Sequence, residues 1–217
     1  MAIRPRPDEH DVEVVAENVR LPGVLGLPRS ARGIVVFAHG SGSGRNSPRN
    51  NSVARVLQDA GLATLLVDLL MEQEAEDRRR VFDIPLLASR LEGATEWLDR
   101  SPTTRSLPVG YFGASTGAGA ALVAASRRAP TIRGVVSRGG RPDLAESFLS
   151  QVRAPTLLIV GGYDTQVIDF NEKALYLLQC EKQLVIVPGA THLFEEAGTL
   201  ERVGDLARDW FMRHLPV

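Results

Sequence analysis

Gly110-Tyr111-Phe112-Gly113-Ala114-Ser115-Thr116-Gly117-Ala118-Gly119 sets one serine at the junction of an apolar strand and a small-residue helix. The run before it, from Leu107 to Phe112, is short and apolar, as a buried parallel strand requires. The run after it, Ala118 to Arg128, is nearly all alanine, leucine and valine with no breaker. A strand therefore runs straight into a helix. Turning that corner in so few residues forces the middle residue into a strained conformation. It is tolerable only if the residues two before and two after carry no side chain, and these are Gly113 and Gly117. Ser115 then projects its hydroxyl at the helix N-terminus, which is the geometry of a nucleophile elbow. The alternative is a plain Gly/Ala-rich helix start with Ser115 as its N-cap.

Outward from this stretch the chain alternates. On the N-terminal side, Asp11-Val15 and Arg20-Leu27 read as two edge strands, with prolines and glycines that a central strand rejects, forming an antiparallel border. Gly33-Ala38 is a continuous apolar run covered on both faces, ending abruptly in His39-Gly40-Ser41-Gly42-Ser43-Gly44. A helical stretch near 51–60 leads to strand Ala63-Asp68, and 81–97 is helical by its apolar spacing. Beyond the elbow come strands Gly134-Ser137, Thr156-Val160 and Gln183-Val187, with helical segments between and after them. The last helix, near Leu200-His214, carries Val203, Leu206, Trp210 and Phe211 on one face. About eight strands with helices between them imply an α/β fold: a mostly parallel sheet wrapped on both faces, with its ligand site beyond the carboxyl ends of the strands.

The 217 residues fit a single α/β domain over 1–217, and no linker divides them. Residues 1–10 are polar and read as a mobile segment. With 25 Lys+Arg against 26 Asp+Glu the net charge is -1, which offers nothing to a nucleic acid or a membrane surface. Cys180 is the only cysteine, cannot form an internal disulfide, and reads as a buried helix residue. The N-terminus lacks the apolar stretch of a signal peptide, and no run approaches the ~20 apolar residues of a membrane span. A soluble cytoplasmic protein is the expectation.

The polar residues just past each strand are His39 to Gly44, Asp68, Ser115, Arg138, Asp164 and His192. Three suit one reaction. A serine hydroxyl needs an imidazole to take its proton, and the imidazole needs a carboxylate to hold its tautomer. His192, in the loop after the last strand, is the base, and Asp164, after Gly161-Gly162-Tyr163, is the orienting acid. Their chain order is Ser, Asp, His. Asp68 also ends a strand but precedes the elbow, so a structural duty is assigned to it. His39 braces its loop. His10, in the terminal segment, and His214, on the last helix, face solvent, while Trp97 and Trp210 belong to the core. Arg138 and Arg141 are candidate holders of an anionic substrate group, because an arginine fork suits a carboxylate; ion pairing with Asp143 or another surface acid is the alternative. The charged segment Glu72-Arg80 is either a flap near the site or a solvated loop or charged helix start.

On His39-Gly40, Gly113-Ala114-Ser115-Thr116-Gly117, Gly162-Tyr163-Asp164 and Gly189-Ala190-Thr191-His192, placed at successive strand ends, the chain resembles the α/β-hydrolase superfamily and its compact dienelactone-hydrolase-like group, from about Val12 to Leu215. One departure stands out. Dienelactone hydrolases proper use a cysteine nucleophile, whereas this elbow carries Ser115, which favours a serine esterase-like relative. The resemblance implies an α/β-hydrolase fold without a large cap domain and an oxyanion hole made of two backbone N–H groups. Thr116, following the nucleophile, supplies one, and Ser41, following His39-Gly40, supplies the other. Gly42 and Gly44 keep that loop clear of side chains.

The function expected is hydrolysis of a small-molecule ester or lactone through an acyl-enzyme on Ser115, with no metal and no organic cofactor. Two rivals stand beside it. One is a phosphate- or nucleotide-binding module built on Gly40-Gly44, although the loop lacks a P-loop's Gly-Lys-Ser/Thr and Arg45 replaces the last glycine of a dinucleotide fingerprint. The other is a hydrolase fold that binds without catalysing.

Overall fold

A computed structural model describes residues 8–215 of the chain. Eight strands form one sheet: β1 (Glu9–Ala16), β2 (Val19–Gly26), β3 (Ile34–Ala38), β4 (Ala63–Val67), β5 (Val109–Ala114), β6 (Ile132–Arg138), β7 (Thr156–Gly161) and β8 (Lys182–Val187). Their order across the sheet is β1-β2-β4-β3-β5-β6-β7-β8. β1 pairs antiparallel with β2, and β2 antiparallel with β4, while every later pairing is parallel. The antiparallel border expected at the N-terminal edge is therefore present. Its outermost strand begins at Glu9, so Glu9 and an exposed His10 belong to the sheet and not to a mobile segment. Residues 1–7 of that segment lie outside the described residues.

The helices are α1 (Pro48–Asp59), α2 (Glu72–Ala75), α3 (Arg78–Val81), α4 (Ile84–Arg100), α5 (Thr116–Arg127), α6 (Thr165–Leu177) and α7 (Thr199–His214), with a 3-10 run over Pro142–Gln151. Two starts are set by caps. The Ser47 hydroxyl accepts from Asn50 N with Pro48 opening α1, and the Asp83 carboxylate accepts from Leu86 N at the head of α4. Neighbouring residues of a strand feed opposite layers, because side chains alternate across a sheet. Val35, Phe37, Phe112 and Val136 pack with Leu57 of α1 and Trp210 and Phe211 of α7. Val36, Tyr111 and Val135 pack with Leu91 of α4 and Leu122 of α5. Both faces are covered, as continuous apolar strands demand.

Some sequence expectations need correcting. Cys180 lies in the turn between α6 and β8, half-buried, with Sγ 3.8 Å from Thr156 Oγ1; α6 stops at Leu177 because Leu178 turns extended. Burial raises its thiol pKa. His214 is half-buried instead of facing solvent: its ring packs, tilted by 54°, against Trp210 one helical turn earlier, 4.6 Å between centroids, and its Nε2 lies 3.4 Å from Glu181. Trp210 is buried, while Trp97 is only partly so. The segment 72–80 folds as α2 and α3. Glu74, buried between them, accepts from Met71 N at 2.9 Å, Arg80 Nη1 at 2.7 Å and Arg90 Nη2 at 3.4 Å. Among the described residues no helix is long and apolar enough to cross a membrane.

Candidate active site

The elbow is strained as its glycines imply. Ser115 sits at φ 51°, ψ -121°, a conformation that L-residues rarely adopt, between the end of β5 and the start of α5. A Cβ on Gly113 would lie 2.4 Å from Ala118 Cα, and one on Gly117 would lie 2.2 Å from Ala38 O. Neither space admits a side chain. The turn is also tied to the next strand: Ser115 N donates to Arg138 O at 3.2 Å, and Arg141 N donates to Ser115 O at 3.1 Å. These bonds offset strain that a free turn would release.

Two further loops converge on the serine. The segment after β7 and the segment after β8 are zipped together by Gly162 N to Val187 O and Tyr163 N to Ala190 O, both 2.9 Å. A Cβ on Gly161 would lie 2.5 Å from the carbonyl oxygens of Ala190 and Thr191, so only glycine lets these backbones approach. The His192 loop is braced from outside by Glu196, which accepts from Thr191 N at 3.0 Å and whose carboxyl pKa is lowered by that bond. It is held from below by the buried Phe194, at φ 56°. His192 Nδ1 lies 2.6 Å from Asp164 Oδ2, and Nε2 lies 3.3 Å from Ser115 Oγ. A carboxylate can only accept, so Nδ1 carries the proton and Nε2 meets the serine as an acceptor. The structure thus brings Ser115, Asp164 and His192 into one chain of contacts.

The two residues expected to form an oxyanion hole, Ser41 and Thr116, are bonded to each other. Thr116 is the first residue of α5, so its N–H has no intrahelical partner. Ser41 N, expected to face an oxyanion, instead donates to the hydroxyl of Thr116 at 3.0 Å. The loop is close enough for the role: a Cβ on Gly40 would lie 3.0 Å from Ser115 Cβ. Sequence reading named Thr116 for its amide and missed its side chain. Nothing local announces a bond spanning 75 residues.

His39 braces its loop, as read. Its Nδ1 donates to Gly40 O at 3.0 Å, which leaves Nε2 to accept from Leu69 N at 3.0 Å. Burial lowers its pKa, keeping the ring neutral. Asp68 is equally structural: it accepts from Arg45 N at 2.6 Å and pairs with the Arg45 guanidinium. The glycine-rich loop is thereby pinned against β4, and a Cβ on Gly44 would lie 2.6 Å from the Asp68 carboxylate.

The two arginines part company. Arg141 is locked by both arms to Asp143, at 2.8 and 2.7 Å, and this pairing raises its pKa. Arg138 is buried at the end of β6. Its Nη2 donates to Asn50 Oδ1 at 3.3 Å, its Cζ lies 5.9 Å from the Phe194 ring, and its Nε has no hydrogen-bond partner among the described residues. Burial first, and then the neighbouring charge of Arg49, push its pKa down to about 10. Among the described residues no group of three or more His, Cys, Asp or Glu side chains is placed to hold a metal ion.

Comparison with known proteins agrees with this architecture. The profile of the Dienelactone hydrolase family matches residues 21–205. A crystal structure of dienelactone hydrolase from Anabaena variabilis ATCC 29413 is 62% identical, covers 95% of this chain and 98% of its own, and superposes with a TM-score of 0.93. Est1E from Butyrivibrio proteoclasticus shares the fold at 14% identity, with a TM-score of 0.81 over 94% of this chain and 98% of its own. Curated proteins of two Mycobacterium tuberculosis strains, CDC 1551 and H37Rv, named "Putative phosphoribosyl transferase", are 60% identical over 207 residues, 95% of this chain. The chain spans about half the length of these curated relatives, 47%.

Proposed function

This chain belongs to the dienelactone hydrolase family, and from that membership we propose that it cleaves a small carboxylic ester or lactone through an acyl-enzyme on Ser115. The observation that carries the reading is the single imidazole of His192 lying between Asp164 at 2.6 Å and Ser115 at 3.3 Å. Ser115 Oγ attacks the carbonyl carbon while its proton passes to His192 Nε2. Asp164, accepting from Nδ1–H, stabilises the imidazolium so formed. The proton then goes to the leaving oxygen, the C–O bond breaks, and water repeats the sequence to release the acid and regenerate the serine. Charge on the carbonyl oxygen falls to the amides of Thr116 and Ser41, a loss of one such donor being worth ~2.7 to 4 kcal/mol of barrier in comparable sites.

Neither arginine offers a free fork to a substrate carboxylate: that of Arg141 is engaged by Asp143, and Arg138 is buried with Nη2 on Asn50. The name carried by the M. tuberculosis relatives describes whole proteins about twice as long, of which this chain matches 47%.

Stoichiometric labelling of Ser115 by a fluorophosphonate is the direct test. In parallel, Ser115→Ala should lower kcat on p-nitrophenyl acetate by roughly 10^4- to 10^6-fold, as removal of the nucleophile does in serine enzymes. An unlabelled, folded protein would favour a hydrolase fold that only binds.

A further inference from the structure

A cavity of about 110 Å³ opens beside the proposed oxyanion amides. Ser41 and Thr116 line it together with Leu70, Ala75 of α2, Val81 of α3 and Leu87 of α4, which give it apolar wall. Gly40, whose Cβ position is 3.0 Å from Ser115 Cβ, and Thr116, next to Ser115 in the chain, line it, whereas neither Ser115 nor His192 is among the described residues that do, so it lies past the amides and away from the histidine. That asymmetry assigns the two sides of a bound ester. The proton donor for the leaving oxygen is the histidine, so the alcohol side must face it. The carbonyl oxygen lies at the amides, and the remaining substituent, the acyl tail, points into the cavity.

Size then sets the substrate. At about 110 Å³ the cavity falls short of the ~150 Å³ that admits benzene, which leaves room for a chain of a few carbon atoms and none for a ring. The wall does not yield easily, because α2 and α3 are clamped by buried Glu74 to Arg80 and to buried Arg90 of α4. We propose that this cavity is an acyl pocket for short, unbranched chains of about two to four carbons, with Val81 and Leu87 setting the limit. The inference rests on the reading of Ser115 as nucleophile, and its test separates the two.

The experiment measures kcat/KM for p-nitrophenyl acetate, butyrate, hexanoate and octanoate on the parent chain, Val81→Ala and Ala75→Phe, with fluorophosphonate labelling of Ser115 in each. Ala75 is exposed in α2 and Val81 only half-buried at the end of α3, so neither change strips the core. A methylene that fits or fails to fit an apolar pocket is worth roughly 10- to 200-fold, which sets the scale. The parent should prefer acetate and butyrate. Val81→Ala should raise the octanoate-to-acetate ratio by roughly tenfold or more, and Ala75→Phe should lower the butyrate-to-acetate ratio by a similar factor. Ratios within about twofold of the parent in both variants, with Ser115 still labelled, would overturn the pocket and leave the nucleophile standing. Failure of Ser115 to label in the parent would overturn both.

Discussion

The backbone N–H of Ser41 donates to the side-chain hydroxyl of Thr116 at 3.0 Å, so an amide proposed to meet a developing oxyanion already has a partner in the resting protein. A bound oxyanion must compete with that hydroxyl or turn it aside. A neutral hydrogen bond contributes ~0.5 to 1.5 kcal/mol net, so Thr116→Val, which keeps the β-branched shape and removes the acceptor, should raise kcat/KM by roughly 2- to 10-fold. The same change hands the N–H of the exposed Ser41 to solvent at rest and should leave Tm nearly unchanged. Steady-state kinetics beside thermal melting check both, and a fall in kcat/KM of more than about tenfold would mean that the hydroxyl itself helps to hold the oxyanion.

Glycines in the site differ in what they tolerate. Gly117 has a carbonyl oxygen 2.2 Å from where a Cβ would stand, with backbone on the other side of the clash. Gly117→Ala should destabilise by about 3 kcal/mol or more and abolish labelling of Ser115, because the elbow must open. Gly42, at φ 67° and with nothing within 4 Å of its Cβ position, should accept alanine at a cost of about 1 to 2 kcal/mol from backbone strain alone. Urea denaturation of the two variants distinguishes them, and equal losses would contradict the geometry.

Burial lowers the pKa of His39 in the folded state, and His214 shifts the same way from partial burial. In each case the unfolded chain binds its proton first as pH falls. The stability gained by keeping these rings neutral is therefore complete above the unfolded value of about 6.5 and is lost as pH drops below it toward the folded values. Between pH 7.5 and 5.5 the unfolding free energy should fall, and it should fall less steeply in His39→Gln. Urea titrations at both pH values measure the two slopes; an unchanged slope in the variant would remove His39 from the account.

Glu74 is buried and answers Arg80 and Arg90. Glu74→Gln leaves the Arg90 guanidinium in the interior with only Glu17, 3.9 Å from its Nε, as counter-charge, which should cost up to about 3 kcal/mol. It should also loosen α2 and α3, so trypsin should cut at Arg78, Arg79 and Arg80 faster than in the parent chain. An unchanged digestion rate would show that the clamp is not what holds the segment.

Much of this was legible along the chain because the signals were local. The Gly113-x-Ser115-x-Gly117 spacing, the unbroken apolar run of β3 and the order of Ser, Asp and His each depend on a few consecutive residues or on simple succession. Where reading failed, the cause was a helix end or a packing contact that no sequence pattern announces. Cys180 falls outside a helix because α6 ends three residues earlier, and His214 is drawn inward by Trp210 and Glu181.

By itself, then, the sequence determined an alternating α/β sheet, a strained serine at a strand-to-helix corner, and the residues proposed to activate it. These follow from side-chain size, periodicity and backbone freedom, which are properties of short stretches. Only the folded chain decided that Thr116 occupies the Ser41 amide, that Arg141 is engaged by Asp143 while Arg138 lies buried against Asn50, and that α2 and α3 close a cavity of about 110 Å³. Those facts depend on which groups separated by tens of residues come within hydrogen-bonding or van der Waals distance. That is set by the packing of whole layers, and no local pattern encodes it.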